Sequence, residues 1–149
     1  MVRAHRVVTA VIGAPPENVR AFYTDLRNIV RIHPLVVAVH AGPRIPSAHG
    51  YRQDYRITDR IPVGPVVVRT RYRARMTVPA HGEVTAEVRQ FPGIRMHTVV
   101  TFAAAGDDGT RLTEHMTIEA PRPLASFTAR EAVKAHREML DGIRDRFGG

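Results

Sequence analysis

The chain has 149 residues, 44% apolar and 24% charged, with a formal net charge of +8. These values fit one folded domain with its own core rather than a disordered or fibrous chain. Cysteine is absent, which excludes disulfides, thiolate zinc sites and thiol nucleophiles and fits a reducing, cytoplasmic setting. Lys134 is the only lysine, so the positive charge is nearly all arginine; it raises nucleic acid or an anionic surface as partners to be weighed.

Met1–Arg6 followed by Val7–Ala14 imitates a signal peptide. The apolar run is short, however, is broken by Thr9, and leads into Pro15-Pro16-Glu17-Asn18 instead of a cleavage region. No apolar run approaches the ~20 residues of a membrane span. Arg6–Ile12 reads as a first strand, with Val8, Ala10 and Ile12 on one face. Gly13-Ala14-Pro15-Pro16 breaks it, and Pro16 and Glu17 suit the first turn of a helix that carries Val19, Phe22, Tyr23 and Leu26. Asp25 can cap a second short helix with Ile29, Val30 and His33, which Pro34 ends.

Strands and turns follow as far as Pro121. Leu35–Ala41 is apolar and ends at Gly42-Pro43. Over Tyr51–Ile61, the residues Tyr51, Gln53, Tyr55, Ile57 and Ile61 face one way and Arg52, Asp54, Arg56, Thr58 and Arg60 the other. Val66–Met76 alternates most clearly: Val66, Val68, Thr70, Tyr72, Ala74 and Met76 oppose Arg69, Arg71, Arg73 and Arg75. Glu83–Gln90, Ile94–Ala103 and Thr110–Ala120 complete the series, separated by turns at Pro92-Gly93 and Gly106-Asp107-Asp108-Gly109. Short turns between adjacent strands predict an antiparallel meander.

The last element is a helix from Thr128 to about Phe147, opened by the capping box Thr128-Ala129-Arg130-Glu131. It would reach about 30 Å, the width of a small domain. Its inner face is graded, with Thr128, Ala129, Ala132 and Ala135 in the first half and Met139, Leu140, Ile143 and Phe147 in the second. Large residues grip the sheet, while small ones leave room for a cavity. The whole, residues 1–149, reads as one α+β domain.

The passage Ile12-Gly13-Ala14-Pro15-Pro16-Glu17-Asn18-Val19 running into Phe22 and Asp25 resembles the START-like superfamily, most closely its SRPBCC branch of polyketide cyclases/dehydrases and lipid-transport proteins. Gly109-Thr110-Arg111-Leu112-Thr113 and the long terminal helix resemble the same families. Arg20 stands where an aromatic residue frequently follows the Val of this motif. The resemblance implies a helix-grip fold, β-α-α-β6-α, with a curved antiparallel seven-stranded sheet wrapped on the helix. It also implies an apolar small-molecule ligand held between them, without a cofactor.

The alternation puts Tyr51, Gln53, Tyr55, Tyr72, Thr98 and Glu114 on the concave face, with His136 descending from the helix. The expected ligand contacts are Tyr51, Gln53, Tyr55, Val68, Thr70, Tyr72, Val100, Met116, Ala132, Ala135, His136 and Met139. If the pocket is catalytic, Glu114, His136, Tyr55 and Tyr72 are the groups able to move protons, as a cyclase or dehydratase requires. Burial would raise the pKa of Glu114 and lower that of His136. The alternative leaves the tyrosines in the core, Glu114 in an ion pair at the sheet rim and His136 packed at the helix edge. None of the eight histidines stands in a metal-ligand spacing, and neither Ser47 nor Ser126 lies in a GxSxG elbow. The arginines at 52, 56, 60, 69, 71, 73 and 75 fall on the convex face without interleaved aromatics, which argues against nucleic acid and for a solvated, salt-bridged surface.

Overall fold

Apolar–polar alternation drives the chain into eight strands: β1 (Val2–Ile12), β2 (Val36–Ala41), β3 (Ile45–Ser47), β4 (Gly50–Val63), β5 (Val66–Pro79), β6 (Val84–Gln90), β7 (Ile94–Ala105) and β8 (Gly109–Ala120). Between β1 and β2 stand α1 (Pro16–Tyr23) and a 3-10 helix, Leu26–Arg31. After β8 come a 3-10 turn, Arg122–Leu124, and the terminal helix α2 (Ala125–Arg146). The structure, a computed structural model, describes residues 1–148 except residue 34, and the backbone but not the side chains of residues 61–63. Neighbouring strands are antiparallel in the order β1-β8-β7-β6-β5-β4-β2, with β3 paired on β4. This is the expected helix-grip arrangement; β3 is an addition, three exposed residues too short to carry a pattern.

Two boundaries differ from those read in the sequence. β1 begins at Val2 rather than Arg6, because Val2–His5 find partners in Thr117–Ala120 of β8. α2 begins at Ala125, so Thr128 lies inside the helix and caps nothing; no side chain bonds the first turn. The 3-10 turn with Pro123 already sets a helical path before Thr128 is reached. Asp25 does cap the short helix, accepting the Arg27 backbone N–H at 3.1 Å. Arg20 donates to the carbonyls of Pro79 (2.6 Å) and Gly82 (3.3 Å), tying α1 to the β5–β6 turn.

The core follows the gradient of α2. Leu140 and Ile143 are each 1% exposed, in one core with Ile12, Val84, Val100 and Leu112 of the sheet. Phe147 meets Phe22 of α1 edge to face at 5.6 Å. Gly142 lets the 3-10 helix lie directly against α2, since a Cβ there would stand 2.8 Å from the Cβ of Ile32. The first half of α2 is different. Ala129 is buried, but Ala132, Ala135 and His136 stay partly exposed, as do Tyr72, Val88 and Met96 on inward positions of the sheet. The second half of α2 is thus the more deeply buried, and part of the inward face of the sheet keeps some exposure.

Candidate polar cluster on the concave face

Glu114 sits in the middle of β8 between Val8 on β1 and Val100 on β7, and is fully buried. Two helices bring its partners. Tyr23, the last residue of α1, donates its hydroxyl to Oε2 of Glu114, its ring braced edge-on by Phe102 at 5.6 Å. His136 of α2 places Nδ1 2.9 Å from Oε1. Both carboxylate oxygens are thus engaged, so Glu114 is not at the rim. Tyr23, read in the sequence only as a core position of α1, is the member of this cluster that sequence reasoning missed.

The electrostatics follow from the contacts. Burial disfavours a charge on His136, but the adjacent Glu114 carboxylate outweighs it by charge and hydrogen bond and raises the His136 pKa above its ordinary value. The downward shift expected from burial alone is therefore corrected. Burial foremost, then the charge and hydrogen bond of Glu114, pushes Tyr23 well above the usual phenol range, so it remains a donor. With Nδ1–H given to the carboxylate, Nε2 is the free ring nitrogen of a side chain that is 17% exposed. The relay Tyr23–Glu114–His136 has one accessible end, and that end is His136.

A second histidine feels the charge of this one. His33 is buried, and its Nδ1 accepts the Leu35 backbone N–H at 3.2 Å. Burial lowers its pKa, which Glu138 opposes and His136 reinforces. Two imidazoles in one region are thereby driven apart, one towards the charged form and one towards the neutral.

The other expected residues divide. Tyr55 is 2% exposed and donates to Oε1 of Gln53 (2.8 Å) and towards the Thr24 carbonyl (3.3 Å), while Gln53 donates to the Gly42 carbonyl. Their polar atoms are spoken for within the fold. Val100, Met116, Met139 and Thr98 are buried, and Tyr51 lies beneath the Arg44 guanidinium at 4.3 Å. Val68 is 41% exposed, towards the end of β5. Tyr72, Ala132, Ala135 and His136 remain partly exposed, and so does Thr70 apart from its hydroxyl. Burial, then the charge of Asp59, raises the Tyr72 pKa. Asp59 itself is pushed up to about 6 by burial. Its Oδ1 and the Oγ1 of Thr70, directly across the β4–β5 pair, are buried without a hydrogen-bond partner among the described residues. Asp59 shares the parity of Tyr55 and Ile57, so the alternation already carried the signal for its inward placement. On the opposite side of the sheet, a shallow depression of about 650 Å³ is lined by Arg56, Arg73, Arg75 and Arg89, a wall unsuited to an apolar molecule.

A curved sheet gripping a terminal helix, with polar groups turned inward, defines a helix-grip domain of the START-like class. The chain belongs to the family described as polyketide cyclase / dehydrase and lipid transport, whose model matches residues 3–148. Similar solved structures include a START superfamily protein from Mycobacterium smegmatis, 15% identical over 95% of this chain and 97% of that one, with a TM-score of 0.73. The Zhui aromatase/cyclase from Streptomyces sp. R1128 is 13% identical over 96% and 95%, TM-score 0.67. A STAR-related lipid transfer protein from Xanthomonas axonopodis is 16% identical over 97% and 86%, TM-score 0.62. At these identities the likeness is one of fold. No curated protein matches the sequence, and no helix among the described residues is long and apolar enough to cross a membrane.

Proposed function

We propose that the protein binds a hydrophobic small molecule, a lipid, polyketide or other aromatic metabolite, between the concave sheet and the first half of α2. The observation that carries this reading is the unequal closure of the concave face. Met139, Leu140 and Ile143 of α2 are buried, whereas Ala132 and Ala135 of α2 and the inward-pointing Tyr72, Val88 and Met96 of the sheet stay partly exposed. Mostly apolar walls with a few converging polar groups are the usual form of such a site. On this reading Nε2 of His136 and the hydroxyl of Tyr72 would orient a carbonyl or phenol on an otherwise apolar ligand.

One observation favours a second reading, a cyclase or dehydratase working without a cofactor. The Glu114 carboxylate holds His136 towards its protonated form, which suits a general acid giving the Nε2 proton to a ligand carbonyl or a departing hydroxyl. Glu114 has no free oxygen for the ligand; its part is to position the imidazole and stabilise its charge. The family description, which joins cyclases and lipid transport, supports both readings.

Mass spectrometry of organic extracts from the purified protein, followed by rebinding of whatever is found, tests the first reading. A co-purified apolar molecule that rebinds one to one supports it; failure to bind any lipid or aromatic polyketide mimic contradicts it. His136→Phe separates the two. A catalyst should lose about 10²–10⁴ in rate, whereas a carrier should lose no more than one hydrogen bond, about 0.5–1.5 kcal/mol.

A further inference from the structure

The convex face holds an arrangement that the concave site does not require. Arg56 on β4 lies directly opposite Arg73 on β5, Arg73 opposite Arg89 on β6, and Arg89 opposite Arg95 on β7. Adjacent strands are about 4.8 Å apart, so four guanidinium groups form one row across the sheet. Like charges placed directly opposite destabilise a strand pair. The next residue in the row, Glu119, is already taken by Arg3 at 2.6 Å. A second like-charged pair, Arg60 and Arg69, lies further along β4 and β5. Among the described residues, none of Arg56, Arg60, Arg69, Arg73, Arg89 and Arg95 forms an ion pair. Asp54 is occupied by Arg75 at 2.8 Å, and Glu87 lies 3.5 Å from His97. The solvated, salt-bridged surface expected from the sequence is thus salt-bridged only in part.

Exposed apolar side chains stand at the end of this row. The turn from β6 to β7 runs between Arg89 and Arg95, and at its head Phe91 is 93% exposed. The β4–β5 hairpin extends past that turn, and beyond Arg71 and Arg69 it exposes Val68, Val67 and Val66 at 41%, 53% and 58%. A merely solvated arginine face has no use for a bare phenylalanine at its edge. Apolar points set in an unneutralised cationic field match one partner closely: phosphate headgroups neutralise the row while apolar side chains enter the boundary of the acyl region. Single-stranded nucleic acid would call for several stacking aromatics along the strip, and Phe91 is the one exposed there.

We propose that this end of the sheet, the arginine row with Phe91 and Val66–Val68 as its apolar points, docks on an anionic lipid bilayer. The docking end adjoins the accessible half of α2, since Gly93 in the Phe91 turn lies against Pro121, which leads through the 3-10 turn into that helix. The arginine row, Phe91 and Val67 are separate from the concave site; Val66 and Val68 have the concave parity, at the tip of the same hairpin, and the proposal stands whether or not the concave site holds a ligand.

The test is flotation of the full chain with phosphatidylcholine vesicles, with and without phosphatidylglycerol. Binding is expected only with the anionic lipid, and should fade towards about 0.5 M salt, where screening shortens to a few Å. Arg89→Gln and Arg95→Gln should each weaken binding about five-fold. Phe91→Ser should weaken it by about ten-fold, with the salt dependence kept. Arg144→Gln, on α2, should bind as wild type. Circular dichroism checks that each variant is folded, and Val66→Ser replaces any that is not. Equal binding to neutral vesicles, no binding to either, or folded Arg and Phe91 variants that bind like wild type would each overturn the proposal. So would displacement from the vesicles by single-stranded RNA with Phe91→Ser binding the RNA unchanged.

Discussion

Glu114→Gln is the most informative single change in the concave site. It keeps the shape of the side chain and removes the charge that His136 faces at 2.9 Å. The Gln amide can still accept from Tyr23 and meet a neutral imidazole, so the variant should fold. What it loses is the charge-assisted bond to the protonated histidine, worth about 1.5–3 kcal/mol for a hydrogen bond to a charged group. The pH dependence identifies that loss. His136 has a folded pKa above its ordinary value. Its contribution is therefore fully present below the unfolded value of about 6.5 and disappears as pH rises through the folded one. Denaturant unfolding of wild type and Glu114→Gln at about pH 6 and about pH 9 should give a difference near 2 kcal/mol at the lower pH, shrinking at the higher. Contributions from His33 and Asp59 cancel in the comparison to the extent that the substitution leaves them alone. Resonances of His136 should titrate lower in the variant, because burial then acts unopposed. A stability difference that is the same at both pH values, or an unmoved His136 titration, would refute the ion-pair account.

Other substitutions probe the surroundings. Asp59→Asn should stabilise the protein above pH 6: the raised pKa of about 6 means that the folded state penalises the carboxylate once it ionises. The gain, discounted for partial exposure, is about 1 kcal/mol at pH 8 and nothing below pH 4, read from unfolding curves. Gly142→Ala sets helix propensity, about 1 kcal/mol in favour of Ala, against a Cβ 2.8 Å from the Cβ and 3.0 Å from the carbonyl oxygen of Ile32. Overpacking against backbone should win, and the melting temperature should fall. Ile143→Ala should cost about 2–5 kcal/mol, as expected for a truncated core residue.

The architecture was legible because its strands carry the pattern themselves. In β5, apolar residues alternate with Arg69, Arg71, Arg73 and Arg75, and a period of two admits only a strand with one buried face. The gradient of α2 likewise showed which half would seal the core. Less legible were features set by the partner across a gap. Tyr23 has the spacing of an ordinary core residue, and nothing in α1 says that its hydroxyl ends on a carboxylate 91 residues away. The rise in the His136 pKa depends on the same contact, which alternation cannot supply because it fixes faces and not neighbours. Glu114 and His136, by contrast, were placed together because each interrupts an apolar face on elements that must pack. The start of α2 was misread because Thr128-Ala129-Arg130-Glu131 satisfies a capping pattern, while a 3-10 turn with no side-chain cap begins the helix earlier. The arginine row lay in the sequence as four separate residues; only strand register brings Arg89 and Arg95 opposite one another.

The central claim is that the sheet and the first half of α2 enclose a site for an apolar molecule. The direct measurement is titration of a fluorescent apolar probe into wild type, Ala132→Phe and Ala135→Leu, with unfolding curves on the same samples. Both substitutions add volume at partly exposed positions of the helix, and neither removes a core contact. The account predicts saturable binding by wild type, binding lost or strongly weakened in both variants, and stability kept within about 1 kcal/mol. Two folded variants that bind the probe as wild type does would place the site elsewhere and contradict the account.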